Sequence, residues 1–466
     1  METITLGELI QAVGGTLLGT FDDLSTPISR VDTDSRDIHP GALFLPLVGE
    51  RFDGHAYLNA ALGAGAAGCL TARERDSYRT DKFYVRVPDT QRALRDLAAW
   101  YKGRFHIPFV AVTGSVGKTT AKDMLAAVLG TRYKVLKTEG NFNNNIGLPL
   151  TLLRLDQSHQ IAVLEMGMDR FGEIDYLAGT VKPDVGVITN IGDAHIERLG
   201  SRENIFKAKC ELLPHIRPDG LLVLNGDDPL LSTLRGRTPV PAVFCGTGEG
   251  MDYRARVTGG DGVSHILCRL TTPHMDREVR IPALGEHMIY PTLIAAAVGE
   301  RFGLTPEEII RGIGQFVPTR MRMNILRRGE GITILDDTYN ANPQSMRAAI
   351  SVLADSQGSW KVAVLGDMLE LGPFAPALHT GVGEYLGREG ISCLVAVGEM
   401  SRYIAQGARD AGVPLIHHCN TREEAKALLP QLVRPDATFL VKASRGMKLE
   451  ELTGALLELT RDPGEG

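Results

Sequence analysis

The sequence predicts an α/β protein of three domains: an N-terminal mixed α/β domain (1–107), a central parallel-sheet domain (108–317) and a C-terminal Rossmann-like α/β domain (318–466). The chain of 466 residues is long enough for about three domains of ordinary size. Short apolar runs that end in polar residues recur along it and alternate with helical segments. That pattern is typical of parallel sheets covered on both faces.

The first hundred residues alternate short apolar runs with glycine-rich turns, as in "GALFLPLVGERFDGHAYLNAALGAGAAGCL" from position 41. This pattern favours a small mixed α/β domain. We find no repeat of fixed period and no low-complexity segment, so solenoid folds are excluded.

The predicted central domain begins after Pro108 with the β-rich run "FVAVTG", a glycine loop and the helical stretch "KTTAKDMLAAVLG". Further strands with polar ends are "IAVLEMG", "DVGVITNIGDAH" and "GLLVLNGDD". After Pro318 a third set follows, with "GITILDDTYNANP", "KVAVLGDMLELG", "CLVAVGE" and "ATFLVKASRG". Ligands of such sheets bind at the carboxyl ends of the strands, so these polar residues are the candidate site.

Composition restricts the function classes. The net charge is −6 with both signs interspersed, which gives no broad basic face for nucleic acid or an anionic membrane and favours a small-molecule partner. The start "METITLGELIQAVGG" lacks the pattern of a signal peptide, and no apolar run approaches the roughly 20 residues that span a bilayer. We therefore expect a cytoplasmic protein without membrane insertion. The six cysteines form no C-x-x-C pair and are expected to be buried, reduced thiols.

The stretch "AVTGSVGKTT" resembles a phosphate-binding loop that is too short. In the usual G-x-x-x-x-G-K-[ST] pattern the first glycine would stand at Val112. Gly114 and Gly117 still permit close backbone approach to an anion, Lys118 supplies a positive charge, and the Thr119 hydroxyl can reach Mg²⁺. The alternative is an ordinary glycine turn before a helix, but the flanking strand and helix favour nucleotide binding.

Three further strand or helix positions could carry chemistry. Glu165 ends the next strand, where a second oxygen ligand for Mg²⁺ is expected, although a surface carboxylate is the alternative. His195 alone is better explained as a structural histidine, since imidazole is a poor Mg²⁺ ligand. Lys207 and Lys209 alone predict a solvated helix face.

These segments together resemble the Mur ligase family. "TGSVGKTT" matches its short T-G-[ST]-x-G-K-[TS]-[ST] loop, and "LEMG", "TNIGDAHIE" and "AKCELL" resemble its metal-binding and lysine segments. The resemblance covers essentially the whole chain. It implies two Mg²⁺ ions, the first held by Thr119 and Glu165 and the second by Glu165, His195 and a carbamylated Lys209. Catalytic roles are implied for Lys118, Lys209 and His195. The implied ATP-binding residues are Gly114, Ser115, Gly117, Lys118, Thr119, Thr120, His287, Arg322 and Asp337.

Other strings resemble one subgroup of that family, which adds D-alanyl-D-alanine to UDP-N-acetylmuramoyl-tripeptide during peptidoglycan precursor synthesis. They are "NFNNNIGLPLTLL", "DDTYNANPQSMRAAI", "GDMLELG" and "VKASRGMKLEEL". The resemblance implies an ATP-dependent ligase that forms an acyl phosphate, and we expect a monomer. "DSRDIHPGALFLPLVGERFDGH" resembles the uridine-diphosphate segment. The implied contacts to the UDP substrate are Ser35, Arg36, Asn143 and Asn144, and those to the dipeptide are Asn340, Asn342 and Ser444.

One motif departs from the family. The usual G-x-H-N-x-x-N reads "GEHMIYP" here, with Met288 and Pro291 in place of two asparagines that contact adenine in relatives. Neither replacement has an amide that could read the base edge, so weaker discrimination between ATP and GTP is expected. Asp336 and Asp337 point to opposite faces if the strand continues, so at most one reaches a ligand.

Three alternatives stay open at this point. The chain could be a family ligase with another substrate, although "YNANP" and "NFNNNIG" argue against that. It could be a phosphotransferase or a nucleotide-regulated binding protein that forms no amide bond. It could also be a ligase fold without activity, against which the retention of Lys118, Glu165, His195 and Lys209 argues.

Overall fold

The computed structural model describes residues 1–49 and 52–461. Positions 50 and 51 of the proposed uridine-diphosphate segment and positions 462–466 of the predicted C-terminal domain lie outside the described residues. Three main sheets follow one another along the chain, formed by strands within residues 16–86, 109–281 and 324–442. The α/β fold class is confirmed, and the exact domain boundaries stay a prediction.

The N-terminal part is mixed α/β. Its strands are β1 (Ile4–Thr5), β2 (Thr16–Leu18), β3 (Pro27–Ile28), β4 (Val31–Asp32), β5 (Leu43–Phe44), β6 (Gly68–Thr71) and β7 (Phe83–Arg86). Its helices are α1 (Leu6–Val13), α2 (Leu58–Gly63) and α3 (Thr90–Lys102). The sheet order is β2-β7-β6-β5-β4, parallel except for the β2–β7 pair, and β1 pairs with β3. Thr5 caps α1 by a reciprocal pair of hydrogen bonds with Glu8, which fixes where the helix begins.

The central part is built on one large sheet. Its strands are β8 (Phe109–Thr113), β9 (Val135–Lys137), β10 (Ile161–Glu165), β11 (Val185–Ile188), β12 (Leu221–Asn225), β13 (Ala242–Gly246), β14 (Tyr253–Gly260), β15 (Ile266–Thr271) and β16 (Asp276–Ile281). Its helices are α4 (Lys118–Leu129), α5 (Gly147–Leu152), α6 (Glu173–Val181), α7 (Ile196–Leu199), α8 (Arg202–Cys210), α9 (Ile289–Arg301) and α10 (Pro306–Gly314). The sheet order is β16-β15-β14-β13-β12-β11-β8-β10-β9.

This sheet is not parallel throughout. The pairs from β9 to β14 are parallel as predicted, but β14, β15 and β16 form an antiparallel extension that the sequence reading did not foresee. The extension has one solvated face, since burial alternates along the first residues of β14. The parallel part is covered on both sides: Val110 and Val112 pack against α4 and α9, whereas Ala111 packs in the core on the opposite face.

The C-terminal part has a sheet of order β17-β18-β22-β19-β20-β21, parallel except for its first pair. Its strands are β17 (Asn324–Arg327), β18 (Thr333–Asp336), β19 (Trp360–Gly366), β20 (Cys393–Val397), β21 (Leu415–Cys419) and β22 (Ala437–Lys442). Its helices are α11 (Pro343–Asp355), α12 (Ala375–Arg388), α13 (Ser401–Asp410), α14 (Arg422–Leu432) and α15 (Glu450–Leu459).

The structure also bears on the predictions about the cysteines and about membrane-spanning segments. All six cysteines are free, and all are buried except Cys210, which is half-buried. Burial raises the pKa of the Cys69 and Cys393 thiols to about 12, so they stay protonated near neutral pH. Among the helices of the described residues, none combines the length and apolar character needed to cross a bilayer.

Candidate functional site

A cavity of about 460 Å³ lies between the central sheet and the C-terminal part of the chain. The strand register brings polar strand ends together on its central side, because Glu165 pairs with Val112 and Ile188 pairs with Thr113. The C-terminal side includes Asp337. A ligand held at these carboxyl strand ends therefore contacts two parts of the chain at once.

The glycine loop forms one wall of the cavity. Gly114 has φ +150°, and a Cβ atom there would lie 1.9 Å from Oγ1 of Thr189, so only glycine fits. The Ser115 amide donates to the Asn190 carbonyl at 3.1 Å, and the Val116 amide donates to Asn190 Oδ1 at 2.9 Å. Gly117, at φ +80°, precedes α4, whose first amides and positive dipole end face the cavity. The shortened loop is thus a braced anion-binding turn.

Lys118 places a cation beside this turn. Its Nζ donates to the Gly114 carbonyl at 2.8 Å. Burial lowers the pKa of the ammonium, and nearby Arg322 lowers it further, whereas Glu165 acts in the opposite direction. The positive charge is therefore held in a partly desolvated place, where an anion would interact with it more strongly than in water.

Glu165 and Thr119 face each other across the cavity floor. Thr119 Oγ1 donates to Glu165 Oε2 at 2.9 Å, and Asn143 Nδ2 donates to the other carboxylate oxygen at 2.8 Å. Glu165 is 2% exposed. The backbone amide of Glu165 donates to Thr138 Oγ1 at 3.0 Å, which anchors the strand end. The pair presents hard oxygen atoms, the donor type that Mg²⁺ prefers.

His195 lines the cavity from the loop that follows β11. Its backbone is left-handed, with φ +62°, an uncommon conformation for a residue other than glycine. The ring Nδ1 lies 2.6 Å from Oε2 of Glu370, a residue of the C-terminal part. The two atoms are close, but their arrangement does not meet the geometry of a hydrogen bond. This contact lowers the pKa of Glu370.

Lys209 lies on α8 and is buried, at 2% exposure, whereas Lys207 on the same helix is exposed. The solvated helix face predicted from residue type alone is therefore wrong for Lys209. Burial, with a smaller effect of Lys118, lowers the pKa of the Lys209 ammonium well below its ordinary value. In the described parts of the chain, no carboxylate forms an ion pair with this lysine.

Asp337 and Lys442 form a buried pair on the C-terminal wall. Lys442 Nζ donates to Asp337 Oδ2 at 2.6 Å and to the Asn340 carbonyl at 2.8 Å. The other Asp337 oxygen accepts the Met323 amide at 3.1 Å. Neighbouring Asp336 turns away from the cavity and accepts the Thr338 hydroxyl at 2.6 Å, and burial raises its pKa. Only one of the two aspartates faces the cavity, as expected.

The segment between α10 and β17 carries Arg322 into the cavity. Thr319 docks this segment on the central part by donating to Oδ2 of Asp123 at 2.5 Å. The Arg322 guanidinium lies 4.0 Å from the ring centroid of Tyr339, and its Nη2 is 3.4 Å from Thr119 Oγ1. The arginine therefore reaches the glycine loop from outside the central sheet.

Part of the cavity lining is apolar. This part includes Ala283, Leu284, Met288, Phe316 and Pro318. Met288 is 4% exposed, and Pro291 is buried within α9 away from the cavity. Met288 thus supplies a thioether where the family motif has an amide.

No cluster of three or more His, Cys, Asp or Glu side chains in residues 1–49 and 52–461 is arranged to hold a metal ion. One carboxylate and one hydroxyl, Glu165 and Thr119, are nevertheless within 2.9 Å of each other. Mg²⁺ is commonly held by one or two carboxylates together with substrate phosphates and water. This donor set therefore fits Mg²⁺ bound with a nucleotide.

The sequence matches known protein families over most of its length. Residues 27–102 match the Mur ligase family catalytic domain, residues 112–299 the Mur ligase middle domain, and residues 321–445 the Mur ligase glutamate ligase domain. The chain is 38% identical to the UDP-N-acetylmuramoyl-tripeptide–D-alanyl-D-alanine ligase of Bacillus subtilis, over 97% of this chain and 98% of that protein. It belongs to the Mur ligase family. The protein of the same name from Escherichia coli is 35% identical, over 98% of this chain and 99% of its own.

Solved structures agree with the fold of this Mur ligase. MurF from Acinetobacter baumannii superimposes with a TM-score of 0.90 at 34% identity, covering 98% of this chain and 99% of its own. MurF from Thermotoga maritima in complex with ADP gives a TM-score of 0.83 at 28% identity, covering 92% and 97%. The family expected from the sequence motifs is confirmed.

The structure brings together many of the residues that the motifs of this Mur ligase single out. The predicted residues that line the cavity are Ser115, Gly117, Lys118, Thr119, Thr120, Asn143, Asn144, Glu165, His195, His287, Arg322, Asp337, Asn340 and Asn342. Gly114 and Lys209 are not part of this lining, and Lys209 is buried. Ser35 and Arg36 lie apart, in the N-terminal sheet region, where the Arg36 side chain is 87% exposed and pairs with Asp34.

Ser444 does not line the cavity. Its Oγ accepts the Leu369 amide at 2.9 Å and donates to the Ala341 carbonyl at 3.3 Å, which ties two cavity-side loops together. Sequence reasoning also missed Lys442 and Glu370. Both stand in strings quoted for the family resemblance, yet nothing in their spacing indicates that one pairs with Asp337 and the other with His195.

Proposed function

We propose that this Mur ligase joins D-alanyl-D-alanine to UDP-N-acetylmuramoyl-tripeptide at the expense of ATP. The observation that carries the proposal is the shared cavity, in which the glycine loop, Glu165 and His195 of the central part face Arg322 and Asp337 of the C-terminal part. The near full-length similarity to ligases of that name supports the choice of substrates. The proposed division of labour follows the domains 1–107, 108–317 and 318–466.

ATP is proposed to bind with its phosphates on the glycine loop. The first amides of α4, the Lys118 ammonium and the Arg322 guanidinium all converge there. The complex of the Thermotoga maritima relative with ADP supports nucleotide binding in this fold. His287 and Asp337 also line the cavity and are proposed to contact the nucleoside. Asp337 keeps unused lone pairs on both oxygens, which ribose hydroxyls could fill.

Thr119 and Glu165 are proposed to hold one Mg²⁺ with the nucleotide phosphates, and Glu165, His195 and a carbamylated Lys209 a second one. When bound, Mg²⁺ neutralises charge that develops on the phosphates. The oxygen donors of Thr119 and Glu165 fit this ion without change. Imidazole and an ammonium do not fit it by themselves, which is why the second site depends on modification of the lysine.

Carbamylation of Lys209 is supported by its surroundings. Within the described residues, Lys209 is a buried ammonium without a carboxylate partner, and the positive charge of Lys118 acts on it, which is an unfavourable arrangement. The ammonium first loses a proton, the free Nζ forms a bond to the carbon of CO₂, and a second proton leaves Nζ, so two protons pass to solvent. The modification replaces the buried cation with an anionic oxygen pair, which would interact favourably with Lys118.

The reaction is proposed to proceed in two steps. The terminal carboxylate of the tripeptide attacks the γ-phosphorus of ATP, the bond to the bridging oxygen breaks, and ADP and an acyl phosphate form. The amine of D-alanyl-D-alanine then attacks the acyl carbon. The carbon–oxygen bond to phosphate breaks, the amine loses a proton, and the amide remains. Lys118 and Arg322 stabilise the negative charge that moves onto the transferring phosphoryl group.

The two other substrates are proposed to enter from opposite sides. Ser35 and Arg36 of the N-terminal part contact the UDP end, and Asn143 and Asn144 line the path to the cavity. Asn340 on the C-terminal wall is proposed to shape the dipeptide site together with Asn342, whose side chain also caps α11 by accepting the Ser345 amide at 2.9 Å. Ser444 acts indirectly by holding the loops. One chain supplies all these residues, so we propose a monomeric enzyme.

Phosphate release from ATP tests the proposal. We expect release only when UDP-N-acetylmuramoyl-tripeptide and D-alanyl-D-alanine are both present, with the UDP-N-acetylmuramoyl-pentapeptide product detected by mass. Release with either substrate alone, or with neither, would favour a phosphotransferase or a nucleotide-regulated protein. Replacing D-alanyl-D-alanine with single amino acids distinguishes a family ligase with another substrate.

A further inference from the structure

Arg322 reaches the glycine loop from the C-terminal part of the chain with few polar contacts to hold its side chain. Its Nη2 lies 3.4 Å from Thr119 Oγ1, which is long for a hydrogen bond. Its Nε is buried and meets no hydrogen-bond acceptor among the described residues. In the same residues, no carboxylate forms an ion pair with this arginine. Polar contacts within the chain therefore do not fix the plane of the guanidinium.

Neighbouring charges also repel this side chain. Burial lowers the pKa of the Lys118 and Lys442 ammonium groups, and the positive charge of Arg322 lowers both further. Glu165 acts in the opposite direction on Lys118, and Asp337 does so on Lys442. Arg322 therefore lies near a like charge on each wall of the cavity, an arrangement that an anionic ligand would relieve.

One aromatic ring holds the guanidinium against this repulsion. The centroid of the Tyr339 ring lies 4.0 Å from the guanidinium carbon of Arg322, and both side chains line the cavity. The face of a tyrosine ring attracts a cation, and the attraction is stronger where water is partly excluded. Tyr339 is therefore the contact that orients the arginine.

The backbone around Arg322 has an uncommon conformation. Met321 and Met323, on either side of it, are both left-handed, with φ +63° and +52°. The Met321 carbonyl accepts the Tyr339 amide at 3.1 Å, and the Met321 amide donates to Asn324 Oδ1. Such a conformation persists only where neighbouring contacts maintain it. Tyr339 thus holds Arg322 in two ways, through its ring and through its amide.

Tyr339 is itself fixed at the end of β18. The preceding residue, Thr338, is fully buried and donates to Asp336 Oδ1 at 2.6 Å. Asp337, two positions before Tyr339, accepts the Met323 amide at 3.1 Å. The ring is therefore presented by the sheet of the C-terminal part, whereas the glycine loop belongs to the central part.

We propose that Tyr339 is a positioning residue that stacks on Arg322 and holds its guanidinium toward the glycine loop before a nucleotide binds. The inference rests on the proposed role of Arg322 in binding the ATP phosphates. An arginine that is already ordered loses less conformational entropy when an anion arrives. Because the ring and the loop belong to different parts of the chain, the stack sets where Arg322 lies when these parts meet.

Binding of a non-hydrolysable ATP analogue tests the inference without turnover. Isothermal titration calorimetry measures its affinity for the full chain in the presence of Mg²⁺ and without the other substrates. The variants are Tyr339→Leu, Tyr339→Phe, Arg322→Ala and the combination of Tyr339→Leu with Arg322→Ala. Tyr403→Leu is the matched control, because Arg402 lies over the Tyr403 ring at 4.9 Å in the same part of the chain, outside the cavity.

We expect Tyr339→Leu to weaken binding of the analogue about tenfold, the scale of one partly desolvated contact between a cation and an aromatic ring. Tyr339→Phe keeps a ring face and should bind within about threefold of the parent. In the Arg322→Ala background, Tyr339→Leu should cause no further loss, because the cation that it holds is gone. Tyr403→Leu should bind the analogue as the parent does.

An affinity of Tyr339→Leu within about twofold of the parent would overturn the inference, as would an equal loss with and without Arg322. A loss in Tyr339→Phe as large as that in Tyr339→Leu would also overturn it, since phenylalanine retains the stacking face. An Arg322→Ala variant that binds the analogue as the parent does, or a parent that binds none, would overturn the proposed phosphate contact and the inference with it. If phosphate release does not depend on both substrates, only the proposed reaction fails, since the titration still decides the role of Tyr339.

Discussion

Replacing Lys442 with methionine should destabilise the C-terminal part by about 3 kcal/mol, because breaking a buried ion pair costs roughly 3–5 kcal/mol. The Lys442 side chain is 2% exposed and the Asp337 side chain 14% exposed. Methionine leaves the carboxylate and the Asn340 carbonyl without their cation. The Met323 amide still donates to Asp337, and slight exposure of Asp337 allows some hydration, so the lower end of the range applies.

Tryptophan fluorescence can measure the loss of stability in the C-terminal part alone. The two tryptophans are Trp100 on α3 and Trp360 at the start of β19. In a Trp100→Phe background, urea unfolding followed by Trp360 reports the C-terminal part, which avoids treating a multi-domain chain as one transition. Lys426→Met, on the exposed face of α14, controls for the loss of a lysine.

The double variant Lys442→Met with Asp337→Asn completes the cycle. The double variant has no charged carboxylate that is left unpaired. Its loss in the free energy of unfolding should therefore be smaller than the sum of the losses of the two single variants. A loss below about 1 kcal/mol for Lys442→Met, or strict additivity in the double variant, would refute the buried-pair reasoning.

Three further predictions follow from other parts of the structure. Burial lowers the pKa of His379 below 6.5, so the unfolded state binds the proton more readily than the folded state does. The free energy of unfolding of the C-terminal part should therefore be highest above about pH 6.5 and decrease as pH falls through the pKa of the folded state. Urea unfolding at several pH values should show this decrease in the parent and not in His379→Gln; equal behaviour of the two contradicts it. Met288→Asn should raise the preference for ATP over GTP in kcat/KM by about tenfold, the effect of one base-edge hydrogen bond. An unchanged ratio would show that this position does not read the base. Lys209→Ala should lower kcat by about 100-fold, the scale of a lost metal-site partner. Added acetate or propionate should restore part of this activity, and no restoration would argue against a carbamate.

Much of the site could be predicted because local patterns determine it. Buried strands end where polar residues begin, so Glu165 and Asp337 were expected at the carboxyl edges of two sheets. The register of the strands then brings them to one cavity. Successive side chains along a strand point to opposite faces of the sheet. This alternation places Asp336 inward and Asp337 on the cavity side.

The remainder depends on contacts between distant segments. The residue type of Lys209 predicts an exposed helix face. Its burial results from the packing of α8, which the residue type does not reveal. The sequence does not predict the antiparallel extension β14–β16, because its three strands follow one another without the intervening helices that identify the other strands. The contact of His195 with Glu370 spans 175 positions, and no local pattern encodes it.

The hydrogen bonds of Asn190 have a consequence for nucleotide affinity. Asn190 holds the amides of Ser115 and Val116, and five residues later the same segment reaches His195. The shape of the glycine loop is thus preorganised together with the histidine. Fixing a backbone residue costs about 1–2 kcal/mol of conformational entropy, which this chain loses when it folds and not when a triphosphate arrives.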